Sequence, residues 1–254
     1  MRILLTNDDG IYAPGLAALE RELASLGEVR VVAPATEQSG VGHSITFLMP
    51  LVAKEVYDGD RLRGWAVEGS PADCVKLGIF EYFDEPPDLV VSGINGGLNA
   101  GINVLYSGTV AAAIEGAFFG VTSVAVSLEF DEHANVEKAA ELVGGIIQQI
   151  LENQDQQPQL YNINIPTSAI ANPRGVRIVP MGVGRYGEHF DKRIDPRGRP
   201  YFWATNDPPP KKTDVETDLT ALKQGYITLT PQSYEMTAHR VMESMREWDI
   251  TLSG

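Results

Sequence analysis

The 254 residues suit one large α/β domain, or a domain with a modest extension, and 43% hydrophobic content is enough for a proper core. A formal net charge of −14 excludes a general nucleic-acid binder, which needs a basic face, and a single cysteine, Cys74, excludes a disulfide framework or a cysteine-based metal centre. With no leader and no long apolar run in the sequence, the expectation is a cytoplasmic protein that does not span a membrane.

Ile3, Leu4 and Leu5 form a continuous apolar run, the mark of a strand buried on both faces. The run stops at Thr6-Asn7-Asp8-Asp9-Gly10, so it delivers two adjacent carboxylates to its carboxyl edge, where open α/β sheets bind ligands. Gly10 allows the chain to turn and the two acids to converge. Carboxylates that close repel unless a cation sits between them, and Mg²⁺ or Mn²⁺ takes oxygen ligands. The simpler alternative is that Asp9 caps the helix that follows while Asp8 solvates the turn.

Leu16, Leu19, Leu23 and Leu26 predict a helix over 14–26, and Val29 to Ala33 a second parallel strand ending at Pro34. The polar loop after it, 36–44, holds Ser39 and Gly40 and is expected beside Asp8 and Asp9. Residues 45–69 read as two strands turning at Asp58-Gly59, an antiparallel excursion from the sheet. Ser70-Pro71-Ala72-Asp73 opens a helix that includes Cys74 and runs to about Phe83.

Leu89, Val90 and Val91 predict another buried strand, over 88–92, with a glycine-rich loop, 92–101, at its carboxyl end. That loop lacks the spacing of a dinucleotide fingerprint. Tyr106-Ser107-Gly108-Thr109 leads into an alanine-rich helix, 110–119. Its hydroxyls serve as helix caps, as a phosphate cradle, or as both. A strand over 121–128 and a helix over 136–151 follow.

The polar linker 153–158 suggests a division into a core, 1–152, and a part, 153–254, that completes the core and serves oligomerisation. The second part contains strands over 160–165, 176–179 and 226–230 and a helix over 236–248. Between residues 185 and 212, seven basic residues stand against four acids within an acidic chain. Asp195-Pro196-Arg197-Gly198 is a turn signal and Tyr201, Phe202 and Trp203 follow it. The reading is a hairpin that either forms a subunit contact or lies as a surface ribbon.

Three loops from three parallel strands are thus expected to meet: Asp8-Asp9, Ser39-Gly40 and Gly93-Ile94-Asn95-Gly96. Two carboxylates, a hydroxyl and an amide oxygen make an all-oxygen set for one divalent ion. Here the sequence strongly resembles the SurE family of survival proteins, which are metal-dependent 5′-nucleotidases. The matching pieces are MRILLTNDDG-Y-PG, VVAP-QSG-GHSIT, SGIN-G-N-G, YSGTVAAA-EG, D-RG--YFW and TD---L--GY-T-TP, which span almost the whole chain. The resemblance implies one Mg²⁺ or Mn²⁺ per subunit on Asp8, Asp9, Ser39 and Asn95, with Asp8 and Asp9 catalytic. It implies phosphate contacts at Gly40, Asn95, Ser107, Gly108 and Thr109. It also implies hydrolysis of nucleoside 5′-monophosphates and a homodimer or homotetramer built on a Rossmann-like three-layer α/β/α core with a C-terminal hairpin and helix. Two alternatives stand beside it. One is a non-catalytic nucleotide sensor; the other is a haloacid-dehalogenase-type phosphatase, for which the adjacent acids depart from the usual Asp-x-Asp.

Overall fold

The computed structural model describes residues 1–155, 157–184, 188–206 and 215–251. Its centre is a nine-stranded sheet made of β1 (Arg2–Thr6), β2 (Glu28–Pro34), β3 (Ala53–Asp58), β4 (Arg61–Val67), β5 (Leu89–Gly96), β6 (Thr122–Leu128), β7 (Leu160–Ile165), β8 (Val176–Ile178) and β11 (Ile227–Gln232). The order is β3-β4-β2-β1-β5-β6-β7-β11-β8. The six strands from β4 to β7 pair in parallel, while β3 and β11 join antiparallel to β4 and β7.

Alternation along β1 builds the two cores. Ile3 and Leu5 face α1 (Pro14–Leu23) and α4 (Val136–Asn153), joining Leu16, Leu19, Val143 and Ile147. Leu4 faces the other way, with Cys74, Val75 and Ile79 of α2 (Pro71–Glu81) and Ala112 of α3 (Gly108–Phe118). Burying each of these leucines is worth ~1.5–3 kcal/mol, which is why a strand with no polar face is stable only between two helical layers. The fold is the expected Rossmann-like three-layer α/β/α architecture.

Ser70 caps α2 as the sequence predicts. Its hydroxyl accepts from the Asp73 N–H at 3.1 Å, and the Asp73 carboxylate accepts from the Ser70 N–H at 2.9 Å. The 53–67 hairpin differs from its expectation. It turns at Gly59-Asp60, and it belongs to the main sheet, because β4 pairs in parallel with β2 from Val31↔Gly64 to Pro34↔Val67. β5 also runs further than expected, to Gly96, through an irregularity between Ser92 and Asn95. Gly93 makes this possible: its φ is 139°, and a Cβ there would lie 2.3 Å from the Val126 carbonyl oxygen.

After the linker the chain re-enters the same sheet through β7, β8 and β11. A short α5 (Thr167–Ala171) and α6 (Asp218–Lys223) lie among these strands. The aromatic ribbon is a separate antiparallel pair, β9 (Glu188–Ile194) and β10 (Pro200–Asn206). Arg185, Lys211 and Lys212 of the basic stretch lie outside the described residues. The C-terminal helix α7 (His239–Met245) is shorter than its expectation and buries none of its residues. Among the described residues no helix is long and apolar enough to cross a membrane.

Candidate active site

At the tip of β1 an Asx turn redirects the chain. The Asn7 amide donates to the Gly10 carbonyl at 2.9 Å and its oxygen accepts the Gly10 N–H at 3.2 Å. Gly10 has φ 100°, a conformation that disfavours a side chain. Asp8 is thereby turned inward, with only 4% of its surface exposed, while Asp9 is half-buried. The sequence pattern Asn-x-x-Gly carried this signal, which reading the two acids alone overlooks.

Asp8 faces the start of α3. The Thr109 hydroxyl donates to Asp8 Oδ1. A Cβ on Gly108 would lie 3.0 Å from Asp8 Cβ and 3.1 Å from Pro71 Cγ, so the close approach of α3 to Asp8 leaves little room for a side chain there. Asp9 Oδ2 accepts the Gly96 N–H at 3.1 Å from the tip of β5. The loop after β2 arrives at the same place, since the Gln38 N–H donates to the Asp8 carbonyl at 2.7 Å. Three strand ends and one helix start therefore converge as expected.

The expected hydroxyls and amide are partly engaged within the protein. Ser107 caps α3 by accepting the Val110 N–H at 3.1 Å, and Thr109 is committed to Asp8. Ser39 is exposed and donates to Glu37 at 2.6 Å, while the Asn95 side-chain N–H donates to the Gly97 carbonyl at 2.6 Å, a bond that does not use the Asn95 amide oxygen. Gly40 is exposed, with φ 70°. Glu37 is an addition that the sequence reading missed: it raises the Asp9 carboxyl and holds Ser39.

The electrostatics set this pocket apart. Burial pushes the Asp8 carboxyl up to about 6, against the Thr109 hydrogen bond and with help from the Asp9 charge. Asp9 is raised as well, chiefly by burial, with the Gly96 N–H opposing and Glu37 adding to the rise. Among the described residues neither acid forms an ion pair, and the acids do not belong to a larger cluster of His, Cys, Asp or Glu. A buried carboxylate beside a half-buried one, without a cation from the protein itself, is costly, and a hard divalent ion matches the pair's charge and oxygen donors. The residues present fit such an ion.

A cleft of about 480 Å³ lies between the 35–46 segment and the turn from β4 to α2, bordered by Gln38, Thr46, Glu68 and Ser70; Asp8, Asp9, Ser39 and Asn95 do not line it. Fold and site together define a Rossmann-like α/β protein with two adjacent carboxylates at a strand end beside a helix N-terminus. The family model described as "Survival protein SurE" matches residues 3–188. The 5′-nucleotidase SurE of Rhodopirellula baltica is 56% identical over 251 residues, covering 98% of this chain and 99% of its own. That of Syntrophobacter fumaroxidans is 41% identical over 250 residues, covering 98% and 100%. A crystal structure of the SurE protein from Aquifex aeolicus superposes with a TM-score of 0.86 at 38% identity, covering 97% of this chain and 98% of that one. The chain belongs to the SurE family.

Proposed function

We propose that the protein is a divalent-metal-dependent 5′-nucleotidase, a phosphomonoesterase that releases phosphate from nucleoside 5′-monophosphates. The observation that carries this reading is the uncompensated Asp8-Asp9 pair, with Asp8 buried against the first turn of α3 and Asp9 half-buried at the tip of β5. The names of the full-length relatives support the activity. Asp8, Asp9, Ser39 and Asn95 would hold one Mg²⁺ or Mn²⁺. When bound, the ion polarises the phosphoryl group and offsets the charge of its equatorial oxygens.

The protein's own groups do the rest. Thr109 and the Asn7 turn fix the Asp8 carboxylate, and the Gly96 N–H fixes that of Asp9. One carboxylate of the pair accepts a proton from the attacking water as the phosphorus–oxygen ester bond breaks, and that proton then passes to the departing 5′-oxygen, so that the nucleoside leaves as an alcohol. The positive end of α3, opened by Gly108, favours the phosphate dianion, with Gly40 and Asn95 as further contacts. Incubating the purified protein with adenosine monophosphate and Mn²⁺ tests the reading: release of phosphate supports an enzyme, whereas binding without release supports a nucleotide sensor.

In the same reading the protein is a homo-oligomer, joined through the β9-β10 ribbon. Register places Phe190, Ile194, Phe202 and Ala204 on one face of that ribbon, and the first three are more than half exposed.

A further inference from the structure

Between β2 and β3 the chain runs from residue 35 to residue 52 without helix or strand, and this stretch carries Ser39 and Gly40. No backbone ladder holds such a segment, so its place depends on groups that reach it from elsewhere. On the far side of Ser39 these groups are specific, and three of them, Ser70, Asp73 and Glu115, are buried. His43 Nε2 lies 2.6 Å from Glu115 Oε2, and the Gly42 N–H donates to the Tyr106 carbonyl at 3.0 Å. The Ser70 hydroxyl donates to the Ser44 carbonyl at 2.6 Å, and Asp73 accepts from the Thr46 N–H at 2.9 Å and from its hydroxyl at 2.7 Å.

Glu115 is the unexpected member. It sits in α3 among alanines, with 6% of its surface exposed. A carboxylate so placed is costly unless it is paired. Its partners are Lys76 Nζ at 3.7 Å and, much closer, a histidine that belongs to the loop. Glu115 lies six residues from Thr109, ~9 Å along the helix axis.

We propose that His43 is a positioning residue: through Glu115 it ties the Ser39–Gly40 loop to α3, the same helix whose first turn holds Asp8. Both sides of the cation pocket, the carboxylate held by Thr109 and the hydroxyl carried on the loop, are then referenced to one rigid element. What the loop is positioned for rests on the metal-site reading above; the tie itself is a property of the metal-free protein.

The test compares the chelated parent protein with His43→Ala and with His43→Gln, which keeps a donor for Glu115. Lys76 stays in place to balance Glu115 in both variants. If His43→Ala fails to fold, His43→Gln and Glu115→Gln carry the comparison. Amide exchange is followed by mass spectrometry and Mn²⁺ binding by calorimetry. In His43→Ala, exchange in 38–46 should rise at least tenfold while peptides of β1 and α3 keep parent protection. Mn²⁺ affinity should weaken by ~10-fold, the usual scale for a residue that orients a ligand. His43→Gln should recover most of both.

Unchanged exchange in 38–46 overturns the proposal, as does loss of protection throughout α3 and the sheet, which would make the pair a general structural contact. Failure of His43→Gln to recover protection also overturns it. A parent protein that binds no Mn²⁺ refutes the metal-site reading instead, and the exchange result alone then decides the tie.

Discussion

Replacing Asp8 with asparagine should move stability and activity in opposite directions. In the metal-free protein the Asp8 carboxyl is raised from its ordinary 3.8 to about 6, chiefly by burial. A group raised on folding favours the fold most below its unfolded value, and that advantage disappears as pH rises through its folded value. Relative to a neutral side chain, the ionised Asp8 therefore costs about 3 kcal/mol at pH 8 and roughly 1 kcal/mol at pH 4.5. Asparagine keeps an oxygen to accept the Thr109 hydroxyl but brings a new amide donor into a buried place, which returns ~1 kcal/mol of that gain.

The net expectation for Asp8→Asn at pH 8 is ~2 kcal/mol, or a Tm increase of ~4–8 °C for a chain of this size. Scanning calorimetry in chelator at pH 8 and pH 4.5 measures it, and the gain should vanish at the lower pH. Phosphate release from adenosine monophosphate with added Mn²⁺ should meanwhile fall by ~100-fold or more, the scale of losing one electrostatic contact to the reacting group. A variant that melts below the parent at pH 8, or gains equally at both pH values, refutes the reasoning about the carboxylate pair.

Thr109→Val removes the hydroxyl that Asp8 accepts; it should cost ~1.5–3 kcal/mol in calorimetry and weaken Mn²⁺ binding, with Thr109→Ser restoring both. Gly108→Ala forces a methyl to 3.0 Å from Asp8 Cβ, so a lower Tm, by ~1–3 kcal/mol of stability, and a higher KM for adenosine monophosphate are expected from melting and initial-rate measurements. Phe202→Glu removes an exposed aromatic from the ribbon face that also carries Phe190, Ile194 and Lys192; light scattering should show a smaller particle with an unchanged circular dichroism spectrum.

The parts of this molecule legible in its sequence are those set by local rules. Ile3 to Leu5 announced a doubly buried strand because no polar residue interrupts them, and Ser70 with Asp73 announced a helix start because the capping box closes within four residues. Pairings made across long separations left no such mark. Trp65 lies beside Val32 in a parallel ladder, and nothing in either segment specifies that choice over a free hairpin. The continuation of β5 through Gly93 was hidden for a different reason, since a glycine reads as a loop until a neighbouring strand is seen to need the space of its missing side chain.

The candidate site divides in the same way. The acids stood out because they end a buried strand. The bond from Thr109 to Asp8 spans 101 residues, so the hydroxyl's part in orienting a carboxylate leaves no local mark in the sequence. Glu115 and His43 are 72 residues apart, and each alone looks ordinary until burial shows that the acid needs a partner.

The central claim is that the Asp8-Asp9 pocket works only around a divalent ion. Its most direct test is phosphate release from adenosine monophosphate by purified protein stripped with a chelator and then titrated with Mn²⁺ or Mg²⁺. Activity should be absent in the stripped protein and return with added metal, saturating near one ion per subunit. Full-rate hydrolysis by the chelated protein would contradict the claim.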